Sequence, residues 1–463
     1  MAIVDLPVPK EVVRKVSVSP RNRQPLPKPV DPNRLLKQGI WVYFWLLILE
    51  GALRKWFLPG LATPLLIVRD PVAIGLIFLA WKRGLLPING YMISMVLIGI
   101  VGIYTAVFIG HGNLTVALFG ARILLFHFPL MFVIGSIFTR DDVVKLGKMT
   151  VLISIPMALL IAVQFYSPQS AWVNRGVGGD MAGAGFDGAM GYFRPPGTFS
   201  FTNGLHLFFG FAGIFIFYFW LNAEGINRLV LLAATAGLAA AIPFSISRSL
   251  LLFIAIDFGF AAIAILRNPQ YAGRLVMLLV GALVVVAILS QVSVLQTPIE
   301  AFVSRFTSAS DVEGGLKGSL GDRWLGGMVG ALTESYKQPF WGYGIGMGTN
   351  AGSALITGGS REFLIAEGEW GRVIGELGPM MGISMILIRV GLSIEFCVIG
   401  YKKLVQGNFL PWVLLGYMLM MVPQAQWAQP TALGFSTLIG GLFMASVRQP
   451  RPLSAIKVNQ RLS

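Results

Sequence analysis

The chain has 463 residues, with 36 Lys and Arg against 21 Asp and Glu, a formal charge of +15. Apolar residues make up 55% and charged residues 12%, about half the charged share of a soluble domain, and the mean hydropathy is +0.72. A water-soluble enzyme is excluded, since that much apolar surface must face lipid, and the single Cys397 excludes a disulfide framework or a paired-cysteine metal or redox site.

Residues 1–38 carry Lys10, Arg14, Lys15, Arg21, Arg23, Lys28, Arg34 and Lys37 among seven prolines. That composition builds no packed core and reads as a basic arm beside anionic membrane lipid, not as a nucleic-acid arm. It holds no early apolar run, so the first span itself serves as the insertion signal. Apolar stretches then fall at 39–53, 61–80, 91–110, 114–137, 146–166, 199–222, 228–246, 249–266, 274–294, 370–400, 409–425 and 430–447. They predict an all-α, polytopic membrane bundle of twelve spans over 39–447, followed by a basic tail, 448–463. Lys82/Arg83, Arg140/Lys145/Lys148, Arg228, Arg267/Arg274, Lys402/Lys403 and the tail's Arg448, Arg451, Lys457 and Arg461 fall on the same side as the N-terminal arm. By the positive-inside rule both termini are expected in the cytoplasm. Two long connections, 167–198 between spans five and six and 295–368 between spans nine and ten, then lie outside. A site is expected in or beneath them.

Ionisable side chains at membrane depth are costly and point to function. Arg69 and Asp70 are expected to pair with each other, and Asp257 is a candidate counter-ion for the lone Arg122. In AEGEWGRVIGELGPMMG (366–382), Glu369, Arg372 and Glu376 share one helical stripe at i,i+3 and i,i+4 spacing. Two readings stay open: a self-neutralising ladder, or the lining of a polar cavity. Gly378 and Pro379 predict a kink. Arg175, Arg194, Arg248, Arg305, Arg323 and Arg361 recur in the outer connections, and guanidinium suits phosphate oxygens. Candidate acids show no compact metal spacing; Asp311 and Glu313 come closest. Trp341, Tyr343 and Trp370 suit either sugar stacking or anchoring at the membrane interface.

Four segments carry a family resemblance: FRPPGTFSFTNGLHL (193–207), FSISRSLLL (244–252), GDRWLGGMVGALTESYKQPFWGYGIGMG (321–348) and the 366–382 segment. In order, spacing and topology the chain resembles the O-antigen polymerase and O-antigen ligase-like envelope proteins, which are twelve-span, GT-C-like glycosyltransferases. The ligase branch carries a histidine nine residues before the Glu of its Glu-x-Gly element. Here that position is Glu367, and 295–368 contains no histidine. The resemblance is therefore to a polymerase-like branch, which would serve O-antigen or exopolysaccharide assembly.

The resemblance implies glycan assembly on the outer face of the bacterial cytoplasmic membrane. Donor and acceptor would be polyprenyl-diphosphate-linked oligosaccharides, with other polysaccharide-assembly proteins as further partners the resemblance allows. Arg194, Arg248 and Arg323, with Arg305 and Arg372, would hold diphosphate; Glu367 or Glu369 would be the base, and Glu376 would orient Arg372. No cofactor or metal is required, because the donor carries its own leaving group. The rival classes are a secondary transporter or lipid-linked glycan flippase, a ten-span cell-wall polymerase, and a ligase acting on another acceptor.

Overall fold

The computed structural model describes residues 31–222, 225–267, 273, 281, 291–313, 325–358 and 364–448. In chain order its helices are α1 (Arg34–Ala52), α2 (Ala62–Leu65), α3 (Arg69–Lys82), α4 (Gly90–Phe108), α5 (Leu114–Arg122), α6 (Phe128–Ile137) and α7 (Arg140–Tyr166). A two-stranded hairpin follows, β1 (Phe186–Ala189) with β2 (Tyr192–Arg194). Then come α8 (Thr202–Leu221), α9 (Arg228–Phe244), α10 (Arg248–Leu266), α11 (Ser293–Glu313), α12 (Gly326–Thr333), α13 (Asn350–Thr357), α14 (Glu369–Val405), α15 (Phe409–Met421) and α16 (Pro430–Val447). The protein is an all-α, multi-pass membrane protein: among the described residues, nine helices are long and apolar enough to cross a bilayer. Arg228–Phe244 and Phe409–Met421 are shorter apolar helices. Most of the expected ninth span, 274–294, lies outside the described residues, as do residues 1–30 of the basic arm and 449–463 of the tail.

Helix α1 begins at Arg34, inside the stretch read as a loose arm. Lys37 explains this, because its ammonium binds Asp31 at 2.7 Å and Asp142 at 2.8 Å, tying the start of α1 to the capping box that opens α7. The connections gather at two ends of the bundle. One end, called here the loop end, collects 54–61, 109–113, 167–201, 245–247, the described parts of 292–368 (292–313, 325–358 and 364–368) and 422–429. Burial identifies the centre: 89% of the α8 window is enclosed, against 22% for Pro59–Lys82. Phe211 of α8 packs against Tyr417 of α15 and Phe435 of α16 at ring separations of 5.6 and 5.5 Å.

Two π-helical turns interrupt spans. One, Leu53–Phe57, ends the first; the other, Ile123–His127, divides the fourth. A π-turn closes with an i→i+5 hydrogen bond, so residues five apart come to stack. That places Arg122 and His127 on one carboxylate, Asp70: Arg122 Nη1 lies 2.9 and 3.0 Å from its two oxygens, and His127 Nε2 donates to Oδ1 at 2.8 Å. The Tyr43 hydroxyl donates to His127 Nδ1 at 2.9 Å. Asp70 is thus the partner of Arg122, and Asp257 is not. The expected Arg69–Asp70 pair is also replaced, because neighbouring residues on a helix point about 100° apart. Arg69 instead binds Glu50 at 3.2 Å.

Helix α14 is not a straight span. Gly378 sits at φ 78°, ψ 168°, and the backbone reverses there, so that Gly382 packs on Val373 and Ile374. The expected kink is a fold-back: Glu369–Leu377 lies against the start of the helix that runs from Pro379.

Candidate functional site

The fold-back buries a four-member ion network. Arg372 holds Glu369 at 3.0 Å through Nε and again through Nη2, and Glu376 at 2.6 Å through Nη1. Arg389 adds a 2.6 Å contact to Glu369 Oε1. All four side chains are at most 4% exposed. The second oxygen of Glu376 accepts the Gly348 amide at 2.8 Å. The geometry is therefore that of a self-neutralising ladder, and it leaves Glu369, Arg372 and Glu376 committed to one another.

That ladder and the Glu50–Arg69 pair have a common target. Arg389 donates to the carbonyls of Val422 (2.8 Å) and Ala425 (2.9 Å), and Arg69 to that of Pro430 (2.6 Å). Trp370 Nε1 donates to the Pro423 carbonyl at 3.1 Å, and Trp427 Nε1 to that of Met421 at 3.3 Å. Residues 422–429 are irregular backbone, flanked by Met421 at the end of one apolar helix and Pro430 at the start of the next. Two intramembrane arginines and two indoles supply the donors that those carbonyls need. This explains why Arg69 and Arg389 lie in spans without invoking a substrate.

From this segment a chain of amides runs across the loop end. Asn203 Nδ2 donates to Gln429 Oε1, Gln429 Nε2 to Gln426 Oε1, and Gln426 Nε2 to the Glu367 carbonyl. Asn203, Gln426 and Gln429 are half-buried, and Glu367, just ahead of α14, is exposed. Of the three candidate carboxylates, Glu367 alone faces solvent.

The arginines belong to other elements of the loop end. Arg194 closes β2, Arg248 opens α10, and Arg305 lies on α11, which packs against β1 and α9. Burial, then the charges of Arg305 and Arg248, press Arg194 below the usual guanidinium range. Arg305 and Arg248 are each close enough to repel Arg194, and among the described residues no carboxylate pairs with Arg194 or Arg305. The Nε atoms of both are buried without a hydrogen-bond partner. Holding half-buried like charges together is unfavourable, which marks the cluster as a place for an anion. Arg323 and Arg361 lie outside the described residues, as do the side chains of Asp311 and Glu313. Arg175 is half-buried and its Nε too lacks a partner.

The FRPPGTFS motif is what fixes Arg194. After Pro196 the chain crosses Gly51 so closely that a side chain there would strike Thr198, Phe199 and Ser200. Lys55 donates to the Gly197 carbonyl at 2.8 Å, Thr198 to that of Ile48 at 2.7 Å, and Arg54 to the Ser200 hydroxyl at 3.0 Å. Gln164 accepts the Gly197 amide at 2.8 Å. His206, one turn along α8 from Asn203, stands under the field of Arg194.

The glycine run of 339–348 has a different task. Tyr343 N donates to Gly375 O at 2.8 Å and Gly344 N to Glu376 O at 3.0 Å, binding the run to the folded-back helix. At Gly342 (φ 72°) a Cβ would meet the Glu376 carbonyl and the Gly378 amide. Trp341 and Tyr343, with Phe340 and His111, line a pocket of ≈ 360 Å³ beside Gly110; Trp370 is not among its walls.

Sequence reasoning missed Glu50, the target of Arg389, and the Asn203–Gln429–Gln426 chain. Three glutamines inside PQAQWAQP (423–430), between two apolar helices, were the available signal. A scan against protein-family models finds no match, and a search of the curated proteins finds no matching relative.

Proposed function

We propose that the protein is a membrane glycosyltransferase that polymerises polyprenyl-diphosphate-linked oligosaccharide repeat units. On this reading the bundle is a twelve-span, GT-C-like fold with both termini in the cytoplasm. The loop end then faces outward from the bacterial cytoplasmic membrane, and the glycan is of the O-antigen or exopolysaccharide kind. The observation that carries the reading is the convergence of Arg194, Arg248 and Arg305 at the loop end, on the same face as the exposed Glu367. A diphosphate matches such a cluster in charge and in its bidentate oxygens.

The chemistry follows from that placement. Glu367 takes the proton of an acceptor hydroxyl as the hydroxyl oxygen bonds to the donor's anomeric carbon. The bond from that carbon to the diphosphate oxygen breaks, and the leaving diphosphate carries its growing charge onto the arginines. Glu369, Arg372 and Glu376, once candidates for direct roles, hold the scaffold instead.

The test is binding of a sugar-free polyprenyl diphosphate to protein in nanodiscs. Neutralising Arg194 or Arg248 to Gln should weaken it by roughly 10- to 100-fold, the worth of one charge-assisted bond. Affinity unchanged in both variants removes the cluster from the site.

A second reading, secondary transporter or flippase, draws on Asp257. Its carboxyl is buried halfway along α10 between Gly213 and Gly416, and among the described residues neither oxygen has a partner. If Asp257→Asn abolishes transbilayer movement of the lipid-linked glycan while that movement is present in wild type, this second reading replaces the first.

A further inference from the structure

Helix α15 has 13 residues and so rises about 20 Å, against a hydrocarbon core of about 30 Å. Its loop-end terminus stops short of the membrane surface. The 422–429 segment that continues it is therefore sunk to membrane depth, while the helix beginning at Pro379 stands beside it with 27 residues, about 40 Å of rise. Irregular backbone at membrane depth survives only where it is enclosed by protein or lines a wet hollow. Its Val422, Pro423 and Ala425 carbonyls are held by Arg389 and Trp370, and the flanking Met421 and Pro430 carbonyls by Trp427 and Arg69, but Gln426, Gln429 and Asn203 are half-exposed. Half-exposed amides on a segment at that depth argue for water reaching it from the loop end.

The chemistry of those amides is specific. Each primary amide offers two N–H donors and a two-lone-pair oxygen. Along the chain from Asn203 through Gln429 to Gln426, one donor of each is used and one acceptor position on each glutamine. The second N–H of all three amides, and acceptor capacity on all three oxygens, have no other partner among the described residues and are not sealed from solvent. A row of alternating neutral donors and acceptors complements vicinal hydroxyls. It offers nothing to an apolar tail and little to a second anion.

We infer that Asn203, Gln426 and Gln429 form a saccharide subsite that binds the hydroxyls of a neutral pyranose beside Glu367. This rests on the proposed glycosyl transfer for the identity of the sugar, as part of the acceptor glycan, but its recognition chemistry stands apart from the diphosphate. Gln426 Nε2 reaches the Glu367 carbonyl, so a sugar on the amides lies beside the proposed base.

The experiment uses the full chain in nanodiscs and saturation-transfer NMR with three probes, lactose, maltose and cellobiose, each at millimolar concentration. At least one should receive saturation. The signal should fall at least fivefold in Gln429→Leu and in Gln426→Leu, and persist in Gln424→Leu, a neighbour outside the chain whose amide contacts Met420. Should either variant lose monodispersity, Gln429→Glu, which keeps the shape and removes the donors, replaces it with the same expectation. No transfer to any of the three sugars, or transfer that survives the variants at positions 426 and 429, overturns the subsite. Sugar-free polyprenyl diphosphate run in parallel separates the two ideas: loss of its binding with retained disaccharide binding counts against the transfer reading and leaves the subsite standing.

Discussion

Arg389 Nη1 lies 2.6 Å from Glu369 Oε1, although twenty positions of one continuous stretch separate them. A straight helix would hold them about 30 Å apart. The contact exists because the chain doubles back at Gly378, and it makes the pair a direct probe of the reversal. Glu369→Gln and Arg389→Gln should each cost about 3–5 kcal/mol, as expected when one partner of a buried ion pair is left alone. The double variant Glu369→Gln with Arg389→Gln should lose less than the sum of the two single losses. Melting curves in detergent check this; strictly additive losses would mean that the pair does not form.

Glu367 should behave differently from its neighbours. Glu367→Gln is expected to leave the melting temperature within about 1 °C of wild type, because an exposed surface change rarely exceeds about 0.5 kcal/mol, and to abolish glycan extension. Glu376→Gln should lower the melting temperature by several degrees, since it loosens both Arg372 and the Gly348 amide. Equal extension by Glu367→Gln and wild type would move the base elsewhere.

The arginine cluster predicts an inverse pattern. Arg305→Gln relieves repulsion on Arg194, so thermal stability should hold or rise slightly while diphosphate affinity falls by roughly tenfold. A drop in both would mean that Arg305 is held by structural partners.

Gly342→Ala and Gly378→Ala should prevent the clamp between the 339–348 run and the fold-back, because both residues have positive φ and meet backbone. Gly327→Ala and Gly330→Ala, where nothing lies within 4 Å, should be silent. Fluorescence-detected size-exclusion profiles distinguish the two classes.

The division between what the sequence revealed and what it hid follows the range of the interactions. Hydropathy located the crossing helices because lipid exposure is written into each segment. The Arg372 ladder was legible because i,i+3 and i,i+4 contacts are local. The Arg122 counter-ion was not, since it depends on a π-turn and on how two helices pack; the sequence reading had offered Asp257. The amide chain escaped because glutamines carry no charge, and because hydropathy alone drew the eleventh span through residue 425, four residues beyond where α15 ends. Clustering of Arg194 with Arg248 was expected from their loops, whereas Arg323 falls outside the described residues.

The central claim meets its most direct test in proteoliposomes holding the purified chain and one lipid-diphosphate-linked repeat unit, with chelator present and no nucleotide. The account predicts a ladder of lengthening glycans from wild type, shortened or absent in Arg248→Gln and in Glu367→Gln. Unextended repeat units with wild-type protein, or extension that both variants match, would contradict it.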